Sequence, residues 1–291
     1  MKNVPRANGA ATNPVRDVLS ASIVNVIEQR QVELMMANLI PLVTDVDGLD
    51  VSSKSIKFNR GYFKGTAQVT NQRPNTVPTV VLDSKMEEVD LAWISHGIRV
   101  TREDRDLYAT GKTKFETKSL AAMRIMAEGE DNLLKKGFSQ LGLEGLETIP
   151  GINVSTCSAK WNTLSGAQIL EEIRLGWSAH TADGKFKADE LWLDKDLHDL
   201  LQKPYSAERY ESVLEVLKGR DWFKNIISVP QFKSAMIVEK SPTNFGYTVE
   251  TPMGMTEEYT EGTDDIYMLE EHLSELMVFQ PESMTKLEGA L

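Results

Sequence analysis

The sequence predicts an α+β chain in which a mixed α/β unit is inserted between two halves of a first domain. Three observations carry that prediction. Residues 51–82 are polar and β-prone, with about one aliphatic or aromatic residue in three, too few for a hairpin that must stand alone in water. A helical pattern begins near Lys114 and runs for roughly 24 residues, about 36 Å, against a mean globular helix of ~11–12 residues. After Gly151 helices and strands alternate, and a β-rich tail follows from residue 264.

Composition bounds the function before any motif does. The 291 residues are 41% hydrophobic, enough for one large or two small domains. The net charge of −11 argues against a general electrostatic grip on nucleic acid. The charge is uneven. Residues 51–137 hold 15 Lys/Arg against 11 Asp/Glu, whereas residues 250–291 hold 11 Asp/Glu and one lysine. The middle can therefore sit against acidic neighbours, including another copy of the chain. The single cysteine, Cys157, excludes an intrachain disulfide and a cysteine-based zinc site. The first residues hold no apolar run, so no signal peptide is expected. No window approaches the ~20 apolar residues of a membrane span.

The elements follow in order. Pro5, Gly9 and Pro14 predict a flexible arm. A helix over 15–43 carries Val18, Leu19, Ile23, Val26 and Ile27. Asp45-Val46-Asp47-Gly48 is a turn. It resembles the opening of a calcium loop but lacks the third carboxylate and a closing Glu. Residues 55–64 alternate in part, and Gly65-Thr66-Ala67 and Arg73-Pro74-Asn75 offer turns, as in a two-stranded ribbon. Strands are expected at 79–82 and 94–100, linked by Val89–Trp93. A charged helix follows, with Thr101 as N-cap and Gly111 as its stop.

The long helix shows an apolar stripe of Leu120, Met123, Ala127 and Leu134, with Met126 and Leu133 beside it. Gly129 within it marks a close backbone approach. Gly142-Leu143-Glu144-Gly145-Leu146 breaks the helix. In the α/β unit, Ser165 and Gln168 form a capping box. A strand is expected at 189–194, with Asp194 or Asp196 capping the next helix. Ser206 is expected to start another helix, with Gly219 as its stop, and short strands at 226–229 and 235–238 follow. In the tail, Pro281-Glu282 is expected to end the last strand, and the tail to pair with the segment around the long helix.

Catalytic motifs find little support. Gly111-Lys112-Thr113 has Asp106 where a phosphate-binding loop needs glycine. His96, His180, His198 and His272 lack metal-binding spacing. Glu257-Glu258 and Glu270-Glu271 are adjacent pairs that point to opposite sides of a strand. Trp161, Trp177, Trp192 and Trp222 crowd the α/β unit as core or interface residues. No enzymatic activity, cofactor or metal is expected.

The order of arm, ribbon, long helix, inserted α/β unit and returning tail resembles the major capsid proteins of tailed bacteriophages with the Hong Kong 97 (HK97-like) fold, and the related encapsulin shells. Residues 51–82 match the extended loop of that family and 114–141 its spine helix. Leu143-Glu144-Gly145-Leu146 with Ile149-Pro150-Gly151 is similar to the turn after that helix, and Val278–Glu282 to an encapsulin closing strand. The resemblance implies an N-terminal arm over 1–46 and an extended loop over 47–83. It further implies a peripheral domain of 84–156 and 264–291, and an axial domain over 157–263.

It also implies a structural protein that assembles with itself, as hexamers and pentamers, into an icosahedral shell around double-stranded DNA. Portal, scaffold, protease or decoration proteins are the further partners it implies. Packaged DNA is touched only weakly and non-specifically, no membrane is involved, and assembly takes place in the host cytoplasm. No scaffold-like N-terminal domain is visible, so assembly is expected to use a separate scaffold or none. The candidate subunit-interface residues lie on the ribbon: Lys54, Lys57, Phe58, Arg60, Tyr62, Phe63, Lys64 and Arg73. A compartment that encloses enzyme cargo and an α/β enzyme are the alternative readings.

Overall fold

The computed structural model describes residues 35–44, 50, 52–64, 81–109 and 115–291. Residues 1–34 of the arm, the Asp45–Gly48 turn, the turns at 65–67 and 73–75, and Gly111 lie outside the described residues; of the helix expected over 15–43, the described part is helical at Met35–Leu39 and ends before Pro41. The chain divides into two compact units.

One unit combines the short helix α1 (Met35–Leu39) with residues 93–132 and 249–273. The other comprises residues 40–92, 133–248 and 274–291. Strand β2 (Val81–Val100) and helix α3 (Phe115–Lys136) contribute residues to both.

In the first unit, β10 (Val249–Glu261) pairs antiparallel with β11 (Asp264–Ser274), and β11 lies beside the second half of β2. Gly262, with φ +66°, closes the turn between β10 and β11. The core joins Ile98 and Val100 of β2 to Met123 and Met126 of α3 and to Tyr267 and Leu269 of β11. The expected stripe is rotated: Met123, Met126 and Ala127 are buried, but Leu120 is exposed. Gly129 does mark a close approach, since a Cβ there would lie 3.3 Å from Cγ2 of Ile94. Helix α2 (Arg102–Ala109) is capped by Thr101, whose Oγ1 accepts from the N–H of Asp104, and Asp104 accepts in return from the N–H of Thr101 at 2.9 Å.

Strand β2 corrects the expected strand–linker–strand arrangement. Its 20 residues run without a break. The apolar alternation slips at Val89–Trp93, which suggested a linker. The ladder nonetheless continues, because the first half pairs with β1 (Ser55–Lys64) and the second half with β11.

The second unit is built on a five-stranded mixed sheet. Its strands are β5 (Asn153–Thr156), β6 (Glu190–Asp194), β7 (Asn225–Val229), β8 (Ala235–Val238) and β13 (Met284–Glu288), in the spatial order β5-β13-β8-β6-β7. Helix α4 (Gly166–Thr181) is closed at its start by the Ser165–Gln168 capping box. It packs Ile169 and Ile173 against Leu191, Leu193, Ile237 and Leu287. Gly176 lets β13 come close, because a Cβ there would collide with the Leu287 side chain. Asp194 caps α5 (Lys195–Leu200), accepting from the N–H of Asp196 at 2.8 Å.

Two further expectations are corrected here. The helix predicted from Ser206 is α6 (Val213–Lys218), opened by a Ser212–Glu215 capping box and closed by Gly219. The N–H of Tyr205 donates to the carbonyl of Glu211 at 2.8 Å, which shapes the segment before it as a loop, and Tyr210 is exposed. Pro281 does not end the last strand. It opens a single 3-10 turn, and β13 follows. A buried polar residue hid β13 from its pattern: Thr285 is enclosed, and its Oγ1 lies 2.9 Å from Nδ1 of His180.

Candidate assembly surface

Strands β1 and β2 form an antiparallel ribbon in register from Ser55 opposite Asp90 to Lys64 opposite Val81. Its base has a small core. Ile56, Val89 and Met277 are buried together, with Val43, Phe58, Leu91 and Phe279 packed against them. Phe58 meets Phe279 edge-on, with ring centroids 4.9 Å apart. Away from that core the described side-chain contacts, across the strands and along β2, are polar and largely exposed. Lys57 lies 3.7 Å from Glu88, and Ser55 also donates to Glu88. Lys85 lies 3.5 Å from Glu87. Such pairs contribute about 0–1 kcal/mol each.

Of the residues singled out in the sequence, Lys54 and Lys57 are exposed, and Phe58 is half-buried within its own subunit. Arg60 and Lys64 fall opposite Lys85 and Val81 in the register, and Tyr62 and Phe63 opposite Asp83 and Leu82. Arg73 lies outside the described residues.

The ribbon base is fastened by a residue that sequence reasoning missed. The Glu275 carboxylate accepts from the N–H of Asp90 on β2 at 3.2 Å and from the N–H of Glu144. The N–H of Glu275 donates to the carbonyl of Asp90 at 3.1 Å. One side chain thereby ties β2 to the loop after α3. Burial pushes the Glu275 carboxyl above the usual carboxylate range, and the charges of Asp90 and Glu144 push the same way. The two backbone N–H groups pull it down. The only sequence signal was a β-rich run with one carboxylate in it.

That loop is the Gly-Leu motif of the sequence. Strand β3 (Gly137–Phe138) pairs with β4 (Leu143–Glu144) in a tight hairpin. Gly137 and Gly142 have φ of +69° and +76°, a region that favours glycine. A Cβ on Gly145 would collide with the backbone N of Gly137. Beyond it, the N–H groups of Leu146 and Glu147 donate to the carbonyls of Leu134 and Lys135 at 3.0 and 2.9 Å. These bonds satisfy carbonyls that the helix end leaves open.

The remaining polar groups are structural. His180 is buried, with Nε2 3.2 Å from the Lys187 carbonyl, and burial lowers its pKa. Nδ1 of His272 lies 3.2 Å from Glu250, and its ring stacks on Trp93. The Cys157 thiol is half-buried, and that burial pushes its pKa up. A cleft of about 520 Å³ lies beside the stacked rings of Trp177 and Trp222, and its Asp189 is engaged by Lys224 at 2.7 Å. Among the described residues, no group of three His, Cys, Asp or Glu is placed to hold a metal ion. Among them, too, no helix is long and apolar enough to cross a membrane.

The fold has parallels among solved shells. It is similar to the capsid of Myoviridae phage XM1, with a TM-score of 0.67 at 13% identity over 84% of this chain and 88% of that one. It is similar to a virus-like particle from Pyrococcus furiosus, with a TM-score of 0.64 at 15% identity over 94% and 98% of the two chains. A third likeness is to the capsid of an empty GTA particle, with a TM-score of 0.63 at 10% identity over 88% and 91%. The chain thus shares the fold of these capsid and virus-like-particle subunits. A search of curated proteins returns no match. A family model described as "Major capsid protein" matches residues 65–289, more than three-quarters of the sequence. The chain belongs to the major capsid protein family, and its role is structural, as a capsid shell subunit.

Proposed function

We propose that this protein tiles as hexamers and pentamers into a closed icosahedral shell around a double-stranded DNA genome, assembling in the host cytoplasm. The observation that carries the reading is a capsid-family subunit whose ribbon, among the described residues, has its core at the base. A two-stranded ribbon of this kind gains stability when it lies on another surface, and a closed shell of identical subunits supplies one. Lys54, Lys57, Arg60, Lys64 and Arg73 then meet acidic groups of the neighbour. Tyr62 and Phe63 supply apolar contact, and Phe58 anchors the ribbon to its own subunit.

Within this scheme residues 1–46 are the arm and 47–83 the extended loop. Residues 84–156 and 264–291 are assigned to the peripheral domain, with a spine helix shorter than the expected 114–141 because α3 ends at Lys136 where β3 begins, and 157–263 to the axial domain, whose sheet β13 of the tail completes. Portal, scaffold, protease and decoration proteins are the partner classes of such a shell.

Electron microscopy of the purified protein tests the reading. Closed particles support it, and a persistent monomer or dimer under all assembly conditions sinks it. Deleting Phe58–Asn75 separates the ribbon's two possible roles. The expected result is a folded subunit that assembles poorly. Loss of the folded state would place the ribbon in its own domain's core. A second reading, a compartment that encloses protein cargo, is favoured by the near-complete overlap with the virus-like particle. Genes for terminase and portal beside this one support the genome-enclosing shell, and a gene for cargo enzyme supports the compartment.

A further inference from the structure

Four lysines lie near enough to act on one carboxylate beyond the end of α3. Lys135 and Lys136 form the last turn of that helix. The loop beyond folds back so that the N–H of Glu147 donates to the Lys135 carbonyl at 2.9 Å. Lys135 is buried, and its Nζ donates to the carbonyl of Pro230 at 2.9 Å. That bond ties the loop between β7 and β8 to the helix end. The same loop carries Lys233, and β13 places Lys286 opposite Met236, three residues further on.

The positive charges of Lys136, Lys135, Lys286 and Lys233 all act on Glu147, yet its burial still pushes the carboxyl above its usual range. Its Oε1 is enclosed without a hydrogen-bond partner among the described residues. Lys136 and Lys233 are exposed and Lys286 half-buried, and among the described residues none of their three ammonium groups makes a salt bridge or a side-chain hydrogen bond. In a chain of net charge −11, this is a local cationic excess with uncommitted ammonium groups.

We propose that Lys136, Lys233 and Lys286 hold phosphate groups of double-stranded DNA, with Lys135 as the buried charge beneath them. The inference rests on the reading that the shell encloses such DNA. Phosphate fits these residues better than an acidic protein surface does. Lysine is depleted from the cores of protein interfaces, where its hydration must be stripped. As a hydrated point charge on a flexible stem, it suits phosphate contact that ignores sequence. With three such contacts the grip is weak and strongly salt-dependent. A genome that must later leave its container needs contact of that strength.

The test uses the full-length unassembled chain and a labelled 20-base-pair duplex, titrated at several salt concentrations. Removing three phosphate contacts in the K136Q/K233Q/K286Q variant is expected to flatten the slope of log affinity against log salt by about 2–3. Affinity at low salt should fall at least about tenfold. Glu147→Gln removes the competing negative charge and should tighten binding. No duplex binding by the unaltered chain, or an unchanged slope in the triple variant, overturns the proposal. So does equal, lysine-dependent binding of poly-glutamate, which would identify an acidic protein partner. Microscopy of the same preparations keeps the two ideas apart. Closed particles with an unaltered slope remove the lysine site and leave the shell. Lysine-dependent binding without any closed particle removes the shell and leaves phosphate binding established for the chain.

Discussion

The five-stranded sheet and the ribbon differ in what holds them. In the sheet, every residue of β6 is buried and Trp192 is fully enclosed, as is Trp161 in the core packed on it. In the ribbon, burial is concentrated at Ile56 and Val89, and the described charged pairs face water. Apolar burial at ~25 cal/mol per Å² makes the first self-sufficient. The described part of the second is held by its ladder and its base. On the proposed reading, stability resides in the sheet and the ribbon serves contact between subunits.

Substitutions can break or sharpen that contrast. The largest effect is expected in the sheet. Trp192 packs edge-on against Phe245 and donates through Nε1 to Glu190 at 2.8 Å. Trp192→Ala should lower unfolding stability by about 3–5 kcal/mol in denaturant titration. A loss below about 1 kcal/mol would show that the sheet is not the stability centre.

Next comes the glycine hairpin that follows α3. Gly145→Ala should destabilise by about 1–3 kcal/mol, at the upper end because the obstacle is backbone. Gly142→Ala faces open space and carries only the strain of its positive φ, so it should be milder by thermal melting.

Glu275→Ala strands two N–H groups at the ribbon base and should cost about 1–3 kcal/mol. It should also impair assembly more than its stability loss explains, by light scattering. Equal impairment by a core substitution of matched stability would remove the idea of a clasp.

A smaller effect is expected from pH. Glu144, Glu147 and Glu275 have carboxyl pKa values raised above the ordinary 4.5, chiefly by burial. In the window above 4.5 the folded state thus binds more protons than the unfolded state. The contribution of these groups is fully present below 4.5 and is lost as pH rises through the folded values. Melting temperatures of the parent chain and of Glu147→Gln should therefore diverge as pH rises from 4.5 to neutral, with the variant gaining. Parallel curves would refute the raised value.

The smallest stability effect belongs to the ribbon. Lys57→Ala should change stability by at most about 0.5 kcal/mol while slowing assembly. A large stability loss would erase the distinction between the two regions.

The sequence made some of these features legible and hid others. The α4 and α5 caps and the length of α3 were readable because local chemistry determines them, as Ser165, Gln168 and Asp194 show. The glycine hairpin was readable as a break, though not as a hairpin, because the collision at Gly145 is with residues eight positions earlier. Strand β13 was hidden because Thr285 is buried against His180, which no pattern of apolar residues reveals. Glu275 was hidden because its partners are 185 and 131 residues away in the chain. The lysine cluster draws on α3, the β7–β8 loop and β13, so only the folded chain assembles it.

The place of β13 has a consequence for synthesis. It lies between β5 and β8, pairing parallel with one and antiparallel with the other. A nascent chain halted before residue 284 has every other strand of that sheet but a gap inside it. Two bare strand edges would then face each other across the gap. The sheet can close only after β13 has been made, more than 125 residues after β5, and such long-range pairing is slow to form. Interrupted translation products thus lack a finished body on which to display a ribbon. A chain cut short before β13 therefore lacks the strand that joins β5 to the rest of its sheet.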